Sequence, residues 1–351
     1  MNIYRTRTAL CIAMLSLLLG GCDSSSTPGE ATSPASGESS LTGEIKINGS
    51  STVLPIANAV KEQFDAEFPN VDITVGGAGT GNGFNEFAEK TIDISDASRP
   101  IKPGEVAACR EGGVAFVELP IAYDGLTLVV HPDNDWVEQL TIDQLKQIFV
   151  AGGGVDKWSD VDPSWPDREI KIFAPGVGSG TYDYFHEVLA KEDKRQLRED
   201  MTLNEDDNVL VQGVAGNKDS IGFFGVAYYE ENQDKLRPVP VVNPELNEAI
   251  VPNKETIASG QYAPFSRPLF IYVNAESLNK AQVQTFVEYF LEKAPETAER
   301  VGYVRLPEPV LSRAIENFEA VKTGTHFVDA QGNSRSGSVT EIFTEDNLVS
   351  S

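Results

Sequence analysis

A short apolar strand, a loop of small hydroxyl residues and an amphipathic helix follow one another twice along this chain of 351 residues. In the first copy, apolar residues alternate over 44–48, the polar loop is 49–52, and a helix opens at Pro55 with apolar residues at four-residue spacing. A second alternating strand follows at 71–75, and the glycine-rich segment 76–83 then leads into a predicted helical segment over 84–89. Because a strand–helix–strand unit places its two strands parallel in one sheet, this order predicts an α/β fold.

The same order returns in the second half of the chain. A strand over 169–173 leads into the glycine and hydroxyl loop 176–181, and an apolar helix face follows over 182–189. A second α/β domain is the economical interpretation. Two extended apolar segments, 118–130 and 266–273, are the candidate crossings between the domains. They predict two lobes joined by a two-strand hinge, with a ligand cleft between them.

These patterns also predict boundaries for the folded part of the chain. The end of the chain mixes Gly, Asn and Ser with scattered apolar residues, so we expect an extended arm lying on a domain, not a further domain. The predicted ranges are 44–124 with 270–323 for lobe I, 125–269 for lobe II, and 324–351 for the C-terminal arm.

The amino terminus predicts export. Arg5 and Arg7 precede an apolar run over 9–19, which is too short to span a bilayer, since a spanning helix needs about 20 residues. Residues 1–21 are therefore predicted to be a signal peptide. The Leu-Gly-Gly sequence before Cys22 resembles a bacterial lipobox, which implies cleavage before Cys22 and lipidation of that residue. An ordinary signal peptide with an incidental cysteine is the alternative.

The segment after the signal peptide predicts a flexible tether over 22–43. It is rich in Ser, Gly, Pro and Thr and has too few apolar side chains to bury a core. Loss of Cys11 with the signal peptide and acylation of Cys22 would leave Cys109 as the last thiol. An intramolecular disulfide is then impossible, so the fold must depend on its hydrophobic core.

The charge balance disfavours one class of partner. The chain has 28 Lys and Arg against 53 Asp and Glu, which gives a formal net charge of -25 at pH 7. Nucleic acid is disfavoured because phosphate backbones bind basic surfaces. A small anion is not excluded, because salt screens charges beyond about 8 to 10 Å and local donors then dominate.

Signatures of catalysis are missing from the sequence. The three histidines, His131, His186 and His326, have no second histidine near them in sequence. The loop with Ser179 has Val177 where a nucleophile elbow needs glycine. P-loop, dinucleotide and metal-ligand spacings are absent as well. We therefore expect a binding protein without cofactor or metal, and not an enzyme.

Small hydroxyl residues are concentrated near the predicted starts of helices. The first amides of a helix lack internal partners and the helix dipole favours negative charge, so these junctions can bind anions. Helix capping alone is the alternative for any single cluster, but four clusters across two lobes favour a shared anion site. The clusters are Ser51-Thr52, Thr80, Ser98-Arg99 and Ser179-Gly180-Thr181.

Two charged residues accompany these clusters. The Arg99 guanidinium can donate two parallel hydrogen bonds to a tetrahedral oxyanion. The alternative role of Arg99 is an ion pair with a neighbouring aspartate. Asp183 can orient Arg99 or accept a hydrogen bond from a protonated ligand oxygen, and its alternative is a solvated acid in the first turn of a helix. An accepting carboxylate would favour hydrogen phosphate over sulfate, because sulfate has no proton to donate.

Five motifs together resemble the phosphate-binding proteins of Pst-type ABC importers, in their SphX-like branch with a Gly-Ser-Ser-Thr-Val opening. They keep the family's order and spacing over essentially all of 44–322. The resemblance implies a type II periplasmic-binding-protein fold and a monomer that binds inorganic phosphate with high affinity. It also implies delivery to the permease of an ABC importer, from a position in the periplasm or cell envelope, with lipid on Cys22 at the outer face of the cytoplasmic membrane. The motifs are 49–55, 77–81, 93–100, 178–181 and 208–229.

The resemblance further implies a set of phosphate ligands. Well-known members have an aspartate where this chain has Ser98 and an arginine where it has Pro175, so Arg99 is predicted to replace the arginine and Asp183 the acceptor. The alternatives are a binding protein for another oxyanion such as arsenate or sulfate, and a surface phosphate sensor or adhesin without a transport role. The predicted ligands are Ser51, Thr52, Val53 through its amide, Thr80, Ser98, Arg99, Ser179, Gly180, Thr181 and Asp183.

Overall fold

The computed structural model describes residues 41–350. The predicted signal peptide, Cys22 and most of the predicted tether lie outside the described residues. Within the described part, no helix is long and apolar enough to cross a bilayer. The strands are β1 (Gly43–Gly49), β2 (Val71–Val75), β3 (Ile94–Ala97), β4 (Phe116–Val130), β5 (Lys171–Pro175), β6 (Thr202–Asn204), β7 (Ser220–Gly225), β8 (Arg237–Pro238), β9 (Val241–Asn243), β10 (Glu248–Ile250) and β11 (Ser266–Asn274). The α-helices are α1 (Leu54–Glu67), α2 (Thr80–Ala88), α3 (Pro103–Glu111), α4 (Ile142–Phe149), α5 (Trp158–Val161), α6 (Gly180–His186), α7 (Asp207–Ala215), α8 (Val226–Glu230), α9 (Lys254–Ala258), α10 (Ala281–Arg300), α11 (Glu308–Glu319) and α12 (Val339–Ile342).

The main sheet consists of two halves that share one strand. The first half has the order β2-β1-β3-β11-β4, and the second has the order β4-β7-β5-β6 with β8 also on β4. Strand β1 runs parallel to β2 and β3, and β5 runs parallel to β6 and β7. By contrast, β11 and β7 run antiparallel to β4. The predicted α/β class and the two strand–helix–strand units are confirmed.

Strand β4 runs through both halves of the sheet. Its residues 116–125 pair with β11, and its residues 126–130 pair with β7. Every residue of this strand is buried. The chain passes from the first half to the second along β4 and returns at the start of β11, so the two predicted crossings are neighbouring strands. The predicted two-strand connection is therefore confirmed.

One continuous hydrophobic core extends through both halves and contains aromatic pairs in each of them. In the first half, Pro55 opens α1, and the ring of Phe64 meets Phe286 of α10 edge-on at 5.2 Å. In the second half, Phe185 stacks on Phe223 with ring centroids 3.8 Å apart. Such pairs add about 0.5–1.5 kcal/mol each beyond the area that they bury.

Two helices begin earlier than the sequence pattern indicated. The predicted helical segment starts at residue 84, but α2 begins at Thr80, directly after Gly79 with a φ of 96°. The first turn of α2 contains glycines and no apolar residue, so the apolar pattern does not reveal it. Gly83 is required at its position because a Cβ there would lie 2.6 Å from the Cα of Gly49. Likewise α6 begins at Gly180, not at residue 182, and continues into a π-helical turn over Glu187–Lys191.

The C-terminal residues pack on strand β4 of the first half. The Glu118 carboxylate, almost fully buried, accepts hydrogen bonds from the Thr325 hydroxyl at 2.6 Å and from the backbone amide of His326 at 2.8 Å. The Nδ1 atom of His326 lies 3.0 Å from the same carboxylate. This segment contains the short helix α12. The predicted domain boundaries stay predictions.

Candidate functional site

The loop between β1 and α1 is held in a fixed shape by its own hydrogen bonds. The Ser50 amide donates to the backbone oxygen of Asp96 at 2.9 Å, and the Thr52 amide donates to the Ser50 hydroxyl at 3.2 Å. The Val53 amide donates to the Ser50 carbonyl at 3.1 Å, and the Val53 side chain is fully buried. The Val53 amide thus already has a partner, and its predicted contact with a ligand stays a prediction.

The predicted second and third clusters come together at the start of α2. The hydroxyl oxygens of Thr80 and Ser98 lie 3.2 Å apart, and the Ser98 amide donates to the Thr80 hydroxyl at 3.3 Å. Thr80 is the first residue of α2, so the opening amides of this helix have no partners within the helix. Hydroxyl and amide donors are therefore collected at one end of the first half of the sheet.

The fourth cluster forms the start of α6 in the second half. Ser179 is the N-cap, and its hydroxyl accepts from the Thr181 amide at 3.2 Å, which is the capping alternative recognised in the sequence. A Cβ on Gly180 would lie 3.5 Å from the Cα of Thr52. The start of α6 therefore approaches the β1–α1 loop of the first half.

A cavity of about 840 Å³ lies where these loops meet. Its cationic lining residues are Arg99, Lys102, Lys191 and Arg267, and its acidic ones are Asp183 and Glu187. Six of the predicted ligands line the cavity, namely Ser51, Thr52, Thr80, Ser98, Arg99 and Asp183. The other four, Val53, Ser179, Gly180 and Thr181, are not part of its lining.

Arg99 lines the cavity but is already paired. Its two terminal nitrogens lie 2.9 and 2.7 Å from the two carboxylate oxygens of Glu105 in α3, and one of them also donates to the carbonyl of Pro100. Within residues 41–350, no hydrogen bond joins Arg99 to Asp183. The ion-pair alternative therefore describes this arrangement, with Glu105 as the partner in place of an aspartate, and the ligand role of Arg99 stays a prediction.

Arg267 is the site residue that the sequence reasoning missed. Its Nε and Nη2 atoms lie 3.1 and 3.0 Å from one carboxylate oxygen of Asp124, and Nη2 also donates to the Thr52 hydroxyl at 2.7 Å. Its guanidinium carbon lies 3.6 Å from the ring centroid of Tyr184 in α6. One guanidinium thus touches both crossing strands and the loops of both halves.

The electrostatic setting of Arg267 depends on Asp124. Burial raises the pKa of Asp124, and the adjacent Arg267 guanidinium opposes that rise. The pair was detectable in principle, because each predicted crossing contains a charged residue within its extended segment, Asp124 in 118–130 and Arg267 in 266–273. A charge inside a buried strand needs a partner, and the two crossings were predicted to lie close together.

Asp96 is a second buried acid near the site. It lies on β3 with no exposed surface, and neither of its carboxylate oxygens has a hydrogen-bond partner among residues 41–350. Burial raises the pKa of Asp96 well above its usual range. Its backbone oxygen holds the Ser50 amide, so its position is tied to that of the β1–α1 loop.

Comparisons with known proteins agree with this architecture. Residues 30–294 match the family model of the PBP superfamily domain. The chain belongs to the PBP superfamily. This superfamily member is 44% identical to protein SphX of Synechococcus elongatus over 81% of the chain and 83% of that protein. It is 43% identical to the phosphate-binding protein PstS of Staphylococcus haemolyticus over 87% of the chain and 93% of that protein.

A solved structure extends the similarity of this PBP superfamily member to three dimensions. The crystal structure of a possible phosphate binding protein from Planctomyces limnophilus aligns with a TM-score of 0.77 at 41% identity, covering 80% of this chain and 99% of that one. The predicted resemblance to the PstS and SphX proteins and the predicted two-lobed fold are both confirmed.

The cavity of this PBP superfamily member is lined by hydroxyl and guanidinium donors of the first half and the crossing strand β11, and by the Lys191 ammonium group of the second half. Donors that converge from several directions suit a tetrahedral oxyanion. Among residues 41–350, no group of three or more His, Cys, Asp or Glu side chains is arranged to hold a metal ion.

Proposed function

We propose that this protein binds inorganic phosphate in the cavity between its two halves and delivers it to an ABC importer in the cytoplasmic membrane. The relatives named for phosphate binding, PstS of Staphylococcus haemolyticus and the Planctomyces limnophilus protein, support the choice of ligand at 43% and 41% identity. The motif resemblance to Pst-type importers supports the choice of transporter.

The observation that carries this proposal is the fixed guanidinium of Arg267. Asp124 accepts from Nε and Nη2, so the guanidinium is held in one orientation beside the Thr52 hydroxyl and at the wall of the cavity. An arginine fixed by a carboxylate can bind phosphate oxygens with little loss of side-chain entropy. We assign to Arg267 the role of phosphate-binding arginine that was predicted for Arg99.

The proposed ligand set contains donors from each half. The hydroxyls of Ser51, Thr52, Thr80 and Ser98 would serve from the first half. Ser179, Gly180 and Thr181 would serve from the start of α6, after a small movement that closes the two halves. Phosphate would then stabilise the closed form by bridging both halves.

Carboxylates in the cavity favour one class of oxyanion. Asp183 and Glu187 both line the cavity, and an ionised carboxylate only accepts hydrogen bonds. Hydrogen phosphate and hydrogen arsenate can donate to such a group, whereas sulfate at neutral pH cannot. We propose Asp183 as the acceptor, because no hydrogen bond within residues 41–350 engages its side chain.

Location and attachment complete the proposal. Cleavage before Cys22 and its acylation would tether a monomer to the outer face of the cytoplasmic membrane, in the periplasm or cell envelope. The segment between Cys22 and β1 would let the folded part reach the permease. In this role the protein binds and releases its ligand unchanged, so we propose that it is not an enzyme.

Calorimetric titration of residues 22–351 with phosphate, arsenate and sulfate tests the ligand. We expect saturable binding of phosphate and arsenate with one site and much weaker binding of sulfate. X-ray scattering with and without phosphate tests closure, and we expect a smaller radius of gyration with phosphate. Failure to bind any of the three oxyanions would refute the proposal and favour a sensor or adhesin that only keeps the fold.

A further inference from the structure

Glu187 is an acid in the cavity whose presence the proposed function does not explain. It opens the π-helical turn after α6, and its side chain is about half exposed. One of its oxygens lies 2.8 Å from Lys191, and the other lies 3.4 Å from Nη1 of Arg267. A carboxylate therefore faces the guanidinium that the proposed function assigns to the ligand.

The ionised form of Glu187 is favoured by its surroundings. Burial alone would raise the pKa of Glu187, but the hydrogen bond from Lys191 and the nearby charges of Lys191, Arg267 and Arg99 bring it below its ordinary value. At neutral pH the cavity thus contains a negative charge that belongs to the protein.

The negative charge of Glu187 acts on the Nη1 atom of Arg267. Nε and Nη2 are held by Asp124, and Nη2 also binds the Thr52 hydroxyl. The Nη1 atom has one acceptor among the described residues, and that acceptor is Glu187. An anion that approaches the open edge of the guanidinium therefore meets the Glu187 carboxylate first.

We propose that Glu187 competes with the oxyanion for the Nη1 edge of Arg267 and is displaced from that edge when the oxyanion binds. This inference rests on the proposed function. Lys191 would keep the displaced carboxylate, because its contact of 2.8 Å is shorter than the contact of 3.4 Å to Arg267. Release from Arg267 then leaves Glu187 with a partner and costs little.

Such an internal competitor makes the site more selective. A ligand must bind Arg267 better than a carboxylate does, which favours doubly charged anions with several oxygens over chloride or simple carboxylates. The cost is a lower affinity for every anion, phosphate included. Glu187 would therefore set both the phosphate affinity and the exclusion of weaker anions.

The variant Glu187→Gln tests this inference by calorimetric titration with inorganic phosphate. Pairs with this much exposure have modest strength, so we expect the Kd for phosphate to fall about two- to tenfold. Inhibition of phosphate binding by chloride or acetate should become stronger. Glu192→Gln is the matched control. Glu192 directly follows the same π-helical turn and carries the same charge, but it does not line the cavity, so the Kd of this variant for phosphate should stay unchanged.

A double-mutant cycle with Arg267→Gln separates displacement from a general effect of charge. We expect Glu187→Gln to increase the phosphate affinity of the protein that has Arg267, and to leave the affinity unchanged in the Arg267→Gln background. An equal gain in both backgrounds, or an equal gain from Glu192→Gln, would overturn the inference in favour of long-range repulsion. Weaker phosphate binding by Glu187→Gln would overturn it as well, because Glu187 would then be a hydrogen-bond acceptor for the ligand.

The outcome also distinguishes this inference from the proposed function. If the unaltered protein binds phosphate and Glu187→Gln leaves the Kd unchanged, the inference is wrong and the proposed function stands. If the unaltered protein does not bind phosphate, the proposed function fails and the inference fails with it.

Discussion

Replacement of Arg267 by glutamine should weaken folding and phosphate binding for two separable reasons. The substitution removes the guanidinium that contacts Asp124, Thr52 and Glu187. It leaves the buried carboxylate of Asp124 without its cation. Removing one partner of a buried ion pair costs about 3–5 kcal/mol, so we expect the free energy of unfolding to fall by about that amount at neutral pH.

The loss of affinity follows from the donors that Arg267 directs into the cavity. A hydrogen bond to a charged group contributes about 1.5–3 kcal/mol, and loss of one or two of them should raise the Kd for phosphate at least tenfold and up to about ten-thousandfold. The loss of stability should shrink as the pH falls, because protonation of Asp124 removes the uncompensated charge. Burial raises the pKa of Asp124, so this recovery should begin above the ordinary range of an aspartate.

Urea unfolding and calorimetric titration of three proteins can separate the two effects. The proteins are the unaltered chain, Arg267→Gln, and the double variant Arg267→Gln with Asp124→Asn. Because the double variant has no buried charge at this position, we expect it to recover most of the lost stability. Its phosphate affinity should stay low, because the guanidinium is still missing.

Two results would refute this reasoning. Recovery of phosphate affinity together with stability in the double variant would mean that Arg267 acts only through folding. A Kd that does not change in Arg267→Gln would mean that the ligand is bound elsewhere, for example by Arg99. In that case Arg99→Ala should abolish binding, although the Arg99 guanidinium pairs with Glu105.

Three further predictions concern single residues of the site and of the fold. Asp183→Asn should raise the Kd for phosphate about tenfold and lower the Kd for sulfate, as calorimetry can measure, because an amide both donates and accepts; unchanged selectivity would exclude Asp183 as the acceptor. Asp96→Asn should increase the free energy of unfolding in urea by about 1–3 kcal/mol at neutral pH, because the buried acid has a raised pKa and its carboxylate has no hydrogen-bond partner in the described part of the chain. Since the folded pKa lies above the unfolded one, this gain should vanish near pH 3, where both states are protonated, and an equal gain at all pH values would contradict its origin in ionisation. Gly83→Ala should lower the free energy of unfolding in urea by about 1–3 kcal/mol, because the new Cβ would lie 2.6 Å from the Cα of Gly49. Gly81 lies on the same helix in open space, so the control Gly81→Ala should leave the free energy of unfolding unchanged or raise it slightly.

The repeated strand, loop and helix were predictable because their signals are local. Alternation in β1 and the four-residue spacing of α1 depend on neighbouring residues, and both elements lie where they were predicted. The starts of α2 and α6 were placed too late because glycines occupy the first turns, where the apolar pattern has not yet begun. Capping geometry at Gly79 and Ser179, which the pattern does not contain, decides where these helices start.

The arginine of the site could not be assigned by the same means. Arg99 stands beside Ser98 in one of the loop clusters and was therefore favoured, but Glu105, one turn into the next helix, holds its guanidinium. Arg267 reaches the cavity from β11 and meets Thr52 across most of the chain. Contacts between residues so far apart in sequence follow from the path of the two crossing strands, which the sequence indicates only in outline.

The path of the chain through the sheet also decides which half can be completed first during synthesis. The second half takes its strands from one continuous stretch, beginning within β4 and ending before β11. The first half needs β11 between β3 and β4, and it needs Thr325 and His326 to satisfy Glu118. A chain that emerges amino terminus first must therefore keep the gap between β3 and β4 open until β11 has been synthesised. The first half of a nascent chain thus stays open to chaperones after the strands of the second half have been made.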